Sequence, residues 1–147
     1  MSKTRALIIE DEKLIRWSLR QQFVEEGFSV DEAQTGREGL AKLTSETYDL
    51  VTLDYKLPDL SGLDVLKELQ PLDGDLVIIM ITAYSNVEDA VEAMRLGAFD
   101  YVSKPFKMDE LMMTIDRGLE RTRLQRRVRD FRAEMQAMVR WASSTTA

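Results

Sequence analysis

The stretch Leu76-Val77-Ile78-Ile79-Met80-Ile81 is an unbroken run of apolar residues. A short run of this kind predicts a β-strand that is buried on both faces, because a half-exposed strand would alternate apolar and polar side chains. Strands buried on both faces are typical of parallel sheets that helices cover on each side. The stretch therefore indicates an α/β fold.

Strand-like and helix-like segments alternate on both sides of this run. Further strands are predicted where short apolar runs recur, at 6–9, 28–30, 50–53 and 99–102. Helices are predicted over 13–26 and from about residues 35, 61, 85 and 107, where apolar residues recur at helical spacing. Two of them begin with capping-box sequences, Thr35-Gly36-Arg37-Glu38 and Ser85-Asn86-Val87-Glu88. The alternation predicts a doubly wound five-stranded parallel sheet in which the βα unit is repeated five times.

The sequence contains no cysteine and no histidine. Disulfides, thiolate metal sites and catalysis by thiol or imidazole are therefore excluded, and any metal must be held by oxygen, which points to magnesium, calcium or manganese. No apolar run approaches the roughly 20 residues that span a bilayer, and the first residues lack the apolar stretch of a signal peptide. We therefore expect a cytoplasmic protein without membrane contact.

The charge divides the chain near residue 117. Residues 1–116 carry 12 Lys and Arg against 23 Asp and Glu, whereas residues 117–147 carry 8 against 3. The acidic part disfavours nucleic acid, which is itself a polyanion. The basic part is more often a solvated or self-pairing helix face than a nucleic-acid site, so we expect no direct contact with nucleic acid.

Chemically active side chains follow four of the predicted strands. Glu10-Asp11-Glu12 follows the first strand, Asp54 the third, Thr82 the fourth and Lys104 the fifth. In a doubly wound sheet, ligands bind outside the carboxyl ends of the strands, so these side chains should meet. Each alone is commonly a loop acid, a cap or a solvated lysine, and the indication of function comes from their shared position.

The expected cluster favours phosphoryl chemistry with a metal ion. Carboxylates held close together repel one another unless a cation joins them, and magnesium suits a few carboxylates, a backbone carbonyl and waters. A carboxylate can also be the nucleophile toward a phosphoryl group, and the central Asp54 is the best candidate. Lys104 could stabilise charge on the transferred oxygens, and Thr82 could donate a hydrogen bond to them.

These residues lie in motifs that resemble the receiver domain of two-component response regulators. The resemblance covers about residues 4–121, and residues 85–106 most resemble receivers of sigma-54-dependent enhancer-binding transcription activators. It implies a flavodoxin-like receiver fold. The matching motifs are Leu7-Ile8-Ile9-Glu10-Asp11-Glu12, Leu53-Asp54-Tyr55-Lys56-Leu57-Pro58-Asp59-Leu60-Ser61-Gly62, Ile81-Thr82-Ala83-Tyr84 and Tyr101-Val102-Ser103-Lys104-Pro105-Phe106.

The resemblance implies that Asp54 accepts a phosphoryl group from a sensor histidine kinase. It implies that Asp11, Asp54 and the backbone carbonyl of Lys56 bind Mg²⁺, with Glu10 acting through a water ligand. The family usually has Asp where this chain has Glu10. The only enzymatic activity implied is self-phosphorylation and self-dephosphorylation at Asp54.

The resemblance also implies a switch. Thr82 and Lys104 would contact the phosphoryl oxygens, and Tyr101, on residues alone a half-buried strand aromatic, would turn inward when Thr82 moves. The Lys104–Pro105 peptide bond would be cis. Lys56 and Tyr84 would tune how long the phosphoryl group lasts. The readout surface would be the fourth helix, fifth strand and fifth helix.

The end of the sequence predicts an extended fifth helix, because no Gly or Pro follows Leu119. Its apolar residues alternate at spacings of four and three, typical of a coiled-coil seam: Leu124, Val128, Phe131, Met135, Met138 and Ala142. We therefore expect a homodimer through this helix, the readout face or both, with a frayed tail as the alternative. The expected organisation is a receiver domain over 1–121, a helical linker over 122–141 and a disordered end over 142–147.

Three other functions compete with this interpretation. A magnesium-dependent phosphatase with an aspartyl intermediate would need an acid two residues after Asp54, where this chain has Lys56. A flavodoxin-like cofactor binder would need a Ser, Thr or Gly-rich loop where Glu10-Asp11-Glu12 stands. A phosphorylation-independent interaction module with the same fold is the main alternative. No phosphate-loop motif or DNA-binding module follows residue 121. The chain would then be either a piece of a longer regulator, which we expect, or a complete receiver with a dimerising tail.

Overall fold

The computed structural model describes residues 3–69, 74–84 and 86–145. These residues form a five-stranded parallel sheet with strand order β2-β1-β3-β4-β5. The strands are β1 (Arg5–Ile9), β2 (Ser29–Ala33), β3 (Leu50–Asp54), β4 (Val77–Thr82) and β5 (Asp100–Ser103). The predicted doubly wound parallel sheet is confirmed, and β3 is its central strand.

Helices cover both faces of the sheet. They are α1 (Lys13–Glu25), α2 (Gly36–Ser45), α3 (Gly62–Leu69), α4 (Val87–Arg95) and α5 (Met108–Thr145). One apolar cluster joins the sheet to α1 and α5, and the other joins it to α2, α3 and α4. Successive residues of β1 alternate between the clusters, since side chains on a strand point to opposite faces in turn. Every residue of β3 and β4 is buried, as the unbroken apolar run indicated.

Two helix starts show how local sequence sets the element bounds. The Thr35 side chain accepts a hydrogen bond from the Glu38 N–H, as a capping residue does. The predicted capping box at α4 was wrong by one residue, because Asn86 is the N-cap and its side chain accepts the Asp89 N–H at 2.8 Å. Asn is as good a cap as Ser. Ser85 lies outside the described residues.

Helix α5 has 38 residues, and only its first part packs against the sheet. Leu111, Met112 and Ile115 are buried, whereas the apolar residues from Leu124 onward are exposed. The helix continues through Thr145, which corrects the prediction of disorder over 142–147 for its first four residues. No Gly or Pro interrupts this segment, so small and polar residues extend the helix. Residues 146 and 147 lie outside the described residues.

None of the helices in the described part of the chain has both the length and the apolar character needed to cross a lipid bilayer.

Candidate functional site

The loop between β1 and α1 brings three acids to the carboxyl edge of the sheet. Glu10 is buried and Asp11 is exposed. The Glu10 N–H donates to the carbonyl of Ala33 at the end of β2, at 3.0 Å. The Glu10 carboxylate accepts the N–H of Glu12 at 3.2 Å. These bonds fix where the loop leaves the sheet and hold Glu10 against the site.

Asp54 ends the central strand and is only 5% exposed. The next N–H along the chain, that of Tyr55, donates to the carbonyl of Ile81 on β4 at 2.9 Å. The N–H of Lys56 lies 3.4 Å from the Asp54 carboxylate. The backbone that follows Asp54 is therefore tied to β4 and to the Asp54 carboxylate itself.

The acids meet as the sequence predicted. Carboxylate oxygens of Glu10, Asp11 and Asp54 lie within 4.8 Å of one another. Burial, and then the hydrogen bond and charge of Glu10, raise the pKa of Asp54 to about 8. Acids that resist joint ionisation in this way suit a hard cation, which would neutralise their repulsion. The donor set consists of carboxylate oxygens from two buried acids and one exposed acid, and it fits Mg²⁺.

Lys104 places an ammonium group among these acids. Its Nζ lies 2.9 Å from Glu10, 3.4 Å from Asp54 and 3.6 Å from Glu12, and its side chain is 10% exposed. Burial alone would lower the pKa of this ammonium, but the hydrogen bond to Glu10 and the nearby carboxylates raise it above its ordinary value. The lysine is therefore charged at neutral pH. The Lys104–Pro105 peptide bond is cis, the geometry that the resemblance implied.

Thr82 and Tyr101 are linked through the backbone of a third residue. The Thr82 side chain is fully buried, and its hydroxyl oxygen accepts the Tyr84 N–H at 2.9 Å. The Tyr84 carbonyl in turn accepts the Tyr101 hydroxyl at 3.2 Å. Among the described residues, no hydrogen bond joins Thr82 to Asp54, although both end strands at the carboxyl edge of the sheet.

A cleft of about 280 Å³ opens above Asp54. The Lys56 ammonium lies 5.3 Å from the centre of the Tyr84 ring, a cation–π contact at its rim. The cleft is lined by Asp11, Glu12, Asp54, Lys56, Leu57, Pro58, Ala83, Tyr84 and Lys104. A small anionic group could reach Asp54 through it.

Two residues that contact the backbone of the site acids were not identified as site residues from the sequence. Arg16 on α1 donates to the carbonyls of Glu10 and Asp11. Gly62 approaches the Asp54 backbone so closely that a Cβ there would lie 2.7 Å from the Asp54 carbonyl oxygen. Gly62 ends the family motif at residues 53–62, so the sequence carried a signal for it. No local sequence pattern indicates the contacts of Arg16.

The chain is similar to known proteins over most of its length. The response regulator receiver domain model matches residues 6–116. The regulatory protein AtoC of Escherichia coli is 35% identical over 142 residues, covering 97% of this chain and 31% of AtoC. The chain spans about a third to a half of the length of the curated relatives that it matches.

Solved structures give the same result. The CheY-like receiver domain protein of Methanospirillum hungatei superimposes with a TM-score of 0.81 and 34% identity, covering 84% of this chain and 99% of that one. The beryllofluoride-activated NtrC4 receiver domain dimer gives a TM-score of 0.76 and 32% identity, covering 80% and 98%. AtoC and NtrC4 fit the resemblance to receivers of sigma-54-dependent activators. The chain belongs to the response regulator receiver domain family.

Proposed function

We propose that this chain is a phosphoryl-accepting switch in which Asp54 takes a phosphoryl group from a sensor histidine kinase in the cytoplasm. The observation that carries the proposal is the setting of Asp54. It is buried at the carboxyl end of the central strand, 3.4 Å from the Lys104 ammonium, with oxygens of Glu10 and Asp11 close by. Catalysis is confined to self-phosphorylation and self-dephosphorylation at Asp54.

The transfer uses an oxygen of the Asp54 carboxylate as nucleophile. A P–O bond forms to this oxygen while the bond between phosphorus and the donor breaks, and its electron pair leaves with the donor. The Lys104 ammonium, already beside the carboxylate, meets the negative charge of the phosphoryl oxygens. The Thr82 hydroxyl oxygen accepts the Tyr84 N–H in this structure, and in this proposal the hydroxyl proton is donated to a phosphoryl oxygen.

The acids of the site would hold Mg²⁺. Asp11, Asp54 and the backbone carbonyl of Lys56 are the direct ligands in this proposal, with Glu10 acting through a water ligand. The ion, when bound, supplies positive charge that offsets the repulsion among the carboxylates and on the phosphoryl group. The proximity of the three carboxylates and the raised pKa of Asp54 support this assignment.

Phosphorylation would shift the chain between two states. An aspartyl phosphate adds negative charge and acceptor oxygens, which favours a state in which Thr82 and Lys104 close on the group. A shift from 1:99 to 99:1 needs roughly 5.5 kcal/mol of differential interaction, within reach of a few charge-assisted hydrogen bonds at about 1.5–3 kcal/mol each. The Tyr84 N–H donates to the Thr82 hydroxyl and the Tyr101 hydroxyl donates to the Tyr84 carbonyl, and these two hydrogen bonds give the movement a route to β5.

The readout would use the face formed by α4, β5 and α5 together with the extended part of α5. This face exposes Val87, Val91, Met94 and Met113. The apolar seam of α5 is exposed as well, and we propose that it forms a coiled coil with a second copy. One similar solved structure is a receiver domain dimer, which supports a homodimer. The output is a transcription-activating domain outside this chain, and the chain itself contacts no nucleic acid.

Native mass spectrometry with Mg²⁺, before and after acetyl phosphate, tests the proposal. We expect the wild-type chain to gain one phosphoryl group and the Asp54→Asn chain to gain none. Asp59→Asn is a matched control, because Asp59 lies in the same loop region but binds backbone N–H groups of α2.

The same spectra report the oligomeric state. A change from monomer to dimer on uptake would assign assembly to the face of α4, β5 and α5, and a dimer throughout would assign it to the seam. Absence of uptake by a wild-type chain that binds Mg²⁺ would contradict phosphoryl acceptance and favour the phosphorylation-independent interaction module.

A further inference from the structure

We propose that Arg16 is a positioning residue for the acidic loop Glu10–Glu12, and that it sets the spacing of the carboxylates that hold the metal ion. The inference rests on the proposed function, since it concerns the same cation site. Among the described residues, Arg16 forms no hydrogen bond or ion pair with Asp54, and it does not itself line the cleft. Its effect would pass through the backbone of the loop.

Arg16 contacts two successive peptide carbonyls within the acidic loop, those on either side of the Asp11 Cα. Its Nη1 donates to the carbonyl of Glu10 at 2.9 Å and lies 3.3 Å from the carbonyl of Asp11. The side chain is 11% exposed. One nitrogen therefore bridges two successive carbonyls, and this restrains the two peptide units on either side of the Asp11 Cα, from which the Asp11 side chain projects.

A second contact fixes the guanidinium itself. Its Nε donates to the carboxylate of Glu32 on β2 at 3.1 Å. Because the planar guanidinium holds several donors in one rigid fork, seating it on Glu32 also sets the direction of Nη1. The Glu10 N–H is bound to β2 as well, through Ala33. Helix α1, strand β2 and the acidic loop thus share one hydrogen-bonded junction.

The positive charge of Arg16 and its positioning role predict opposite changes in cation affinity when Arg16 is removed. A guanidinium near a cation site repels the cation, so its removal would strengthen binding if Coulomb forces dominated. Glu32 offsets much of this charge. If Arg16 acts by position, its removal weakens binding, because the loop carbonyls lose their donor and the carboxylates lose their fixed spacing. The sign of the change distinguishes the two roles.

Arg20 offers a matched control on the same helix. It also pairs with Glu32, but its other contact is the carbonyl of Val30 at 3.4 Å, away from the acidic loop. Arg20→Gln removes the same charge and one partner of the same carboxylate. It leaves both bonds from Arg16 to the loop in place.

The experiment measures Mn²⁺ affinity by electron paramagnetic resonance, since Mn²⁺ takes the same oxygen ligands and reports free ion directly. We expect Arg16→Gln to weaken binding about 10- to 100-fold, as loss of an outer partner of metal ligands does. The Mn²⁺ affinity of Arg20→Gln should stay within about twofold of wild type, because both hydrogen bonds from Arg16 to the loop carbonyls survive. Arg16→Lys keeps the positive charge but lacks the planar guanidinium, so its Mn²⁺ affinity should also be lower than that of the wild type.

Amide hydrogen exchange without metal gives a second readout. Exchange at Asp11 and Glu12 should accelerate in Arg16→Gln relative to Arg20→Gln, and urea unfolding would verify that each variant is folded. If Arg16→Gln does not fold, the comparison of Arg16→Lys with Arg20→Gln decides the question.

The outcomes separate the inference from the proposed function. If the wild-type chain binds Mn²⁺ and Arg16→Gln binds it equally tightly or more tightly, the positioning role of Arg16 is overturned and the proposed metal site is not. A wild-type chain that binds no Mn²⁺ would overturn the metal site of the proposed function and this inference together.

Discussion

At the scale of single residues, the position of Asp54 depends on the chain that turns back behind it. The Gly62 N–H donates to the Tyr55 carbonyl at 2.6 Å, which brings the start of α3 against the end of β3. A Cβ at Gly62 would lie 2.7 Å from the Asp54 carbonyl oxygen and 2.8 Å from the Met80 sulfur. Backbone cannot yield as a flexible side chain does, so only glycine fits here without displacing Asp54.

We expect Gly62→Ala to lower the free energy of unfolding by about 1–3 kcal/mol, the usual cost of overpacking. Urea denaturation measures the change. Gly74→Ala is the control, because a Cβ there meets nothing within 4 Å. If Gly62→Ala and the wild type have equal free energies of unfolding, a Cβ at position 62 is accommodated beside the Asp54 carbonyl without loss of stability, which would contradict this expectation.

A second residue-scale feature is the cap that Asp59 provides for α2. Its carboxylate accepts the N–H groups of Gly36 at 2.8 Å and Arg37 at 2.9 Å. The hydrogen bond from Arg37 and those from its other backbone donors lower the pKa of Asp59, against a smaller opposing effect of burial. A lowered folded-state pKa means that the contribution to stability is present above the unfolded pKa, near 3.9, and is lost as pH falls through the folded pKa.

The difference in free energy of unfolding between wild type and Asp59→Asn should therefore be largest near pH 6 and shrink as the pH falls below about 4. Urea titrations at several pH values measure it. A difference that stays constant down to pH 2.5 would contradict an ionised cap.

At the scale of elements, α5 presents two opposite faces beyond the core. Arg126 lies 3.4 Å from Asp75 and 3.9 Å from Asp49, and Arg129 lies 2.8 Å from Asp75. Both acids sit just before strands, at the edge of the sheet opposite Asp54. At about 100° per residue, Arg126 is about 160° around the helix from Val128. These ion pairs thus hold the seam facing away from its own receiver.

We expect Asp75→Asn to speed amide hydrogen exchange over residues 122–133, because the hydrogen bonds from Arg129 and Arg126, which lower the pKa of Asp75, are weakened. Mass spectrometry of peptic peptides measures the exchange. Asp130→Asn removes the same charge from α5 itself, and Asp130 forms no ion pair within the described ranges 3–69, 74–84 and 86–145. Equal exchange in the two variants would mean that the pairs do not restrain the helix.

At the scale of the whole molecule, an acidic domain with its site at one edge of the sheet continues into a basic helix that leaves from the other edge. The predicted fold followed from local signals, since apolar runs and the polar residues at their ends are visible in the sequence. The meeting of Glu10, Asp11, Asp54 and Lys104 followed from the rule for parallel sheets. The roles assigned to these residues remain proposals.

Other features could not be predicted because they join distant residues or depend on small energy differences. The pair of Arg16 with Glu32 and that of Arg129 with Asp75 connect separate elements without any repeating pattern. The start of α4 was misplaced because Ser85 and Asn86 are comparable caps. The extent of α5 was underestimated because small polar residues only weakly oppose a helix that already exists.

Assembly through α5 gives a prediction for the whole molecule. Phe131 is 62% exposed and lies in the seam, so Phe131→Asp should convert a seam dimer into a monomer by placing a charge in an apolar contact. Sedimentation equilibrium measures the mass. Ala133→Asp adds the same charge outside the seam and should leave the dimer intact. Dissociation by both variants, or by neither, would contradict assembly through the seam.

Phosphoryl acceptance by Asp54 is tested most directly by locating the phosphoryl group in the chain. The wild-type chain is incubated with acetyl phosphate and Mg²⁺ and then treated with borohydride, which reduces an acyl phosphate to an alcohol. Peptide mass spectrometry then reads which acid was modified. We expect conversion of Asp54 alone, and loss of that signal when Mg²⁺ is withheld. Conversion of Glu10, Asp11 or another acid instead of Asp54 would contradict it.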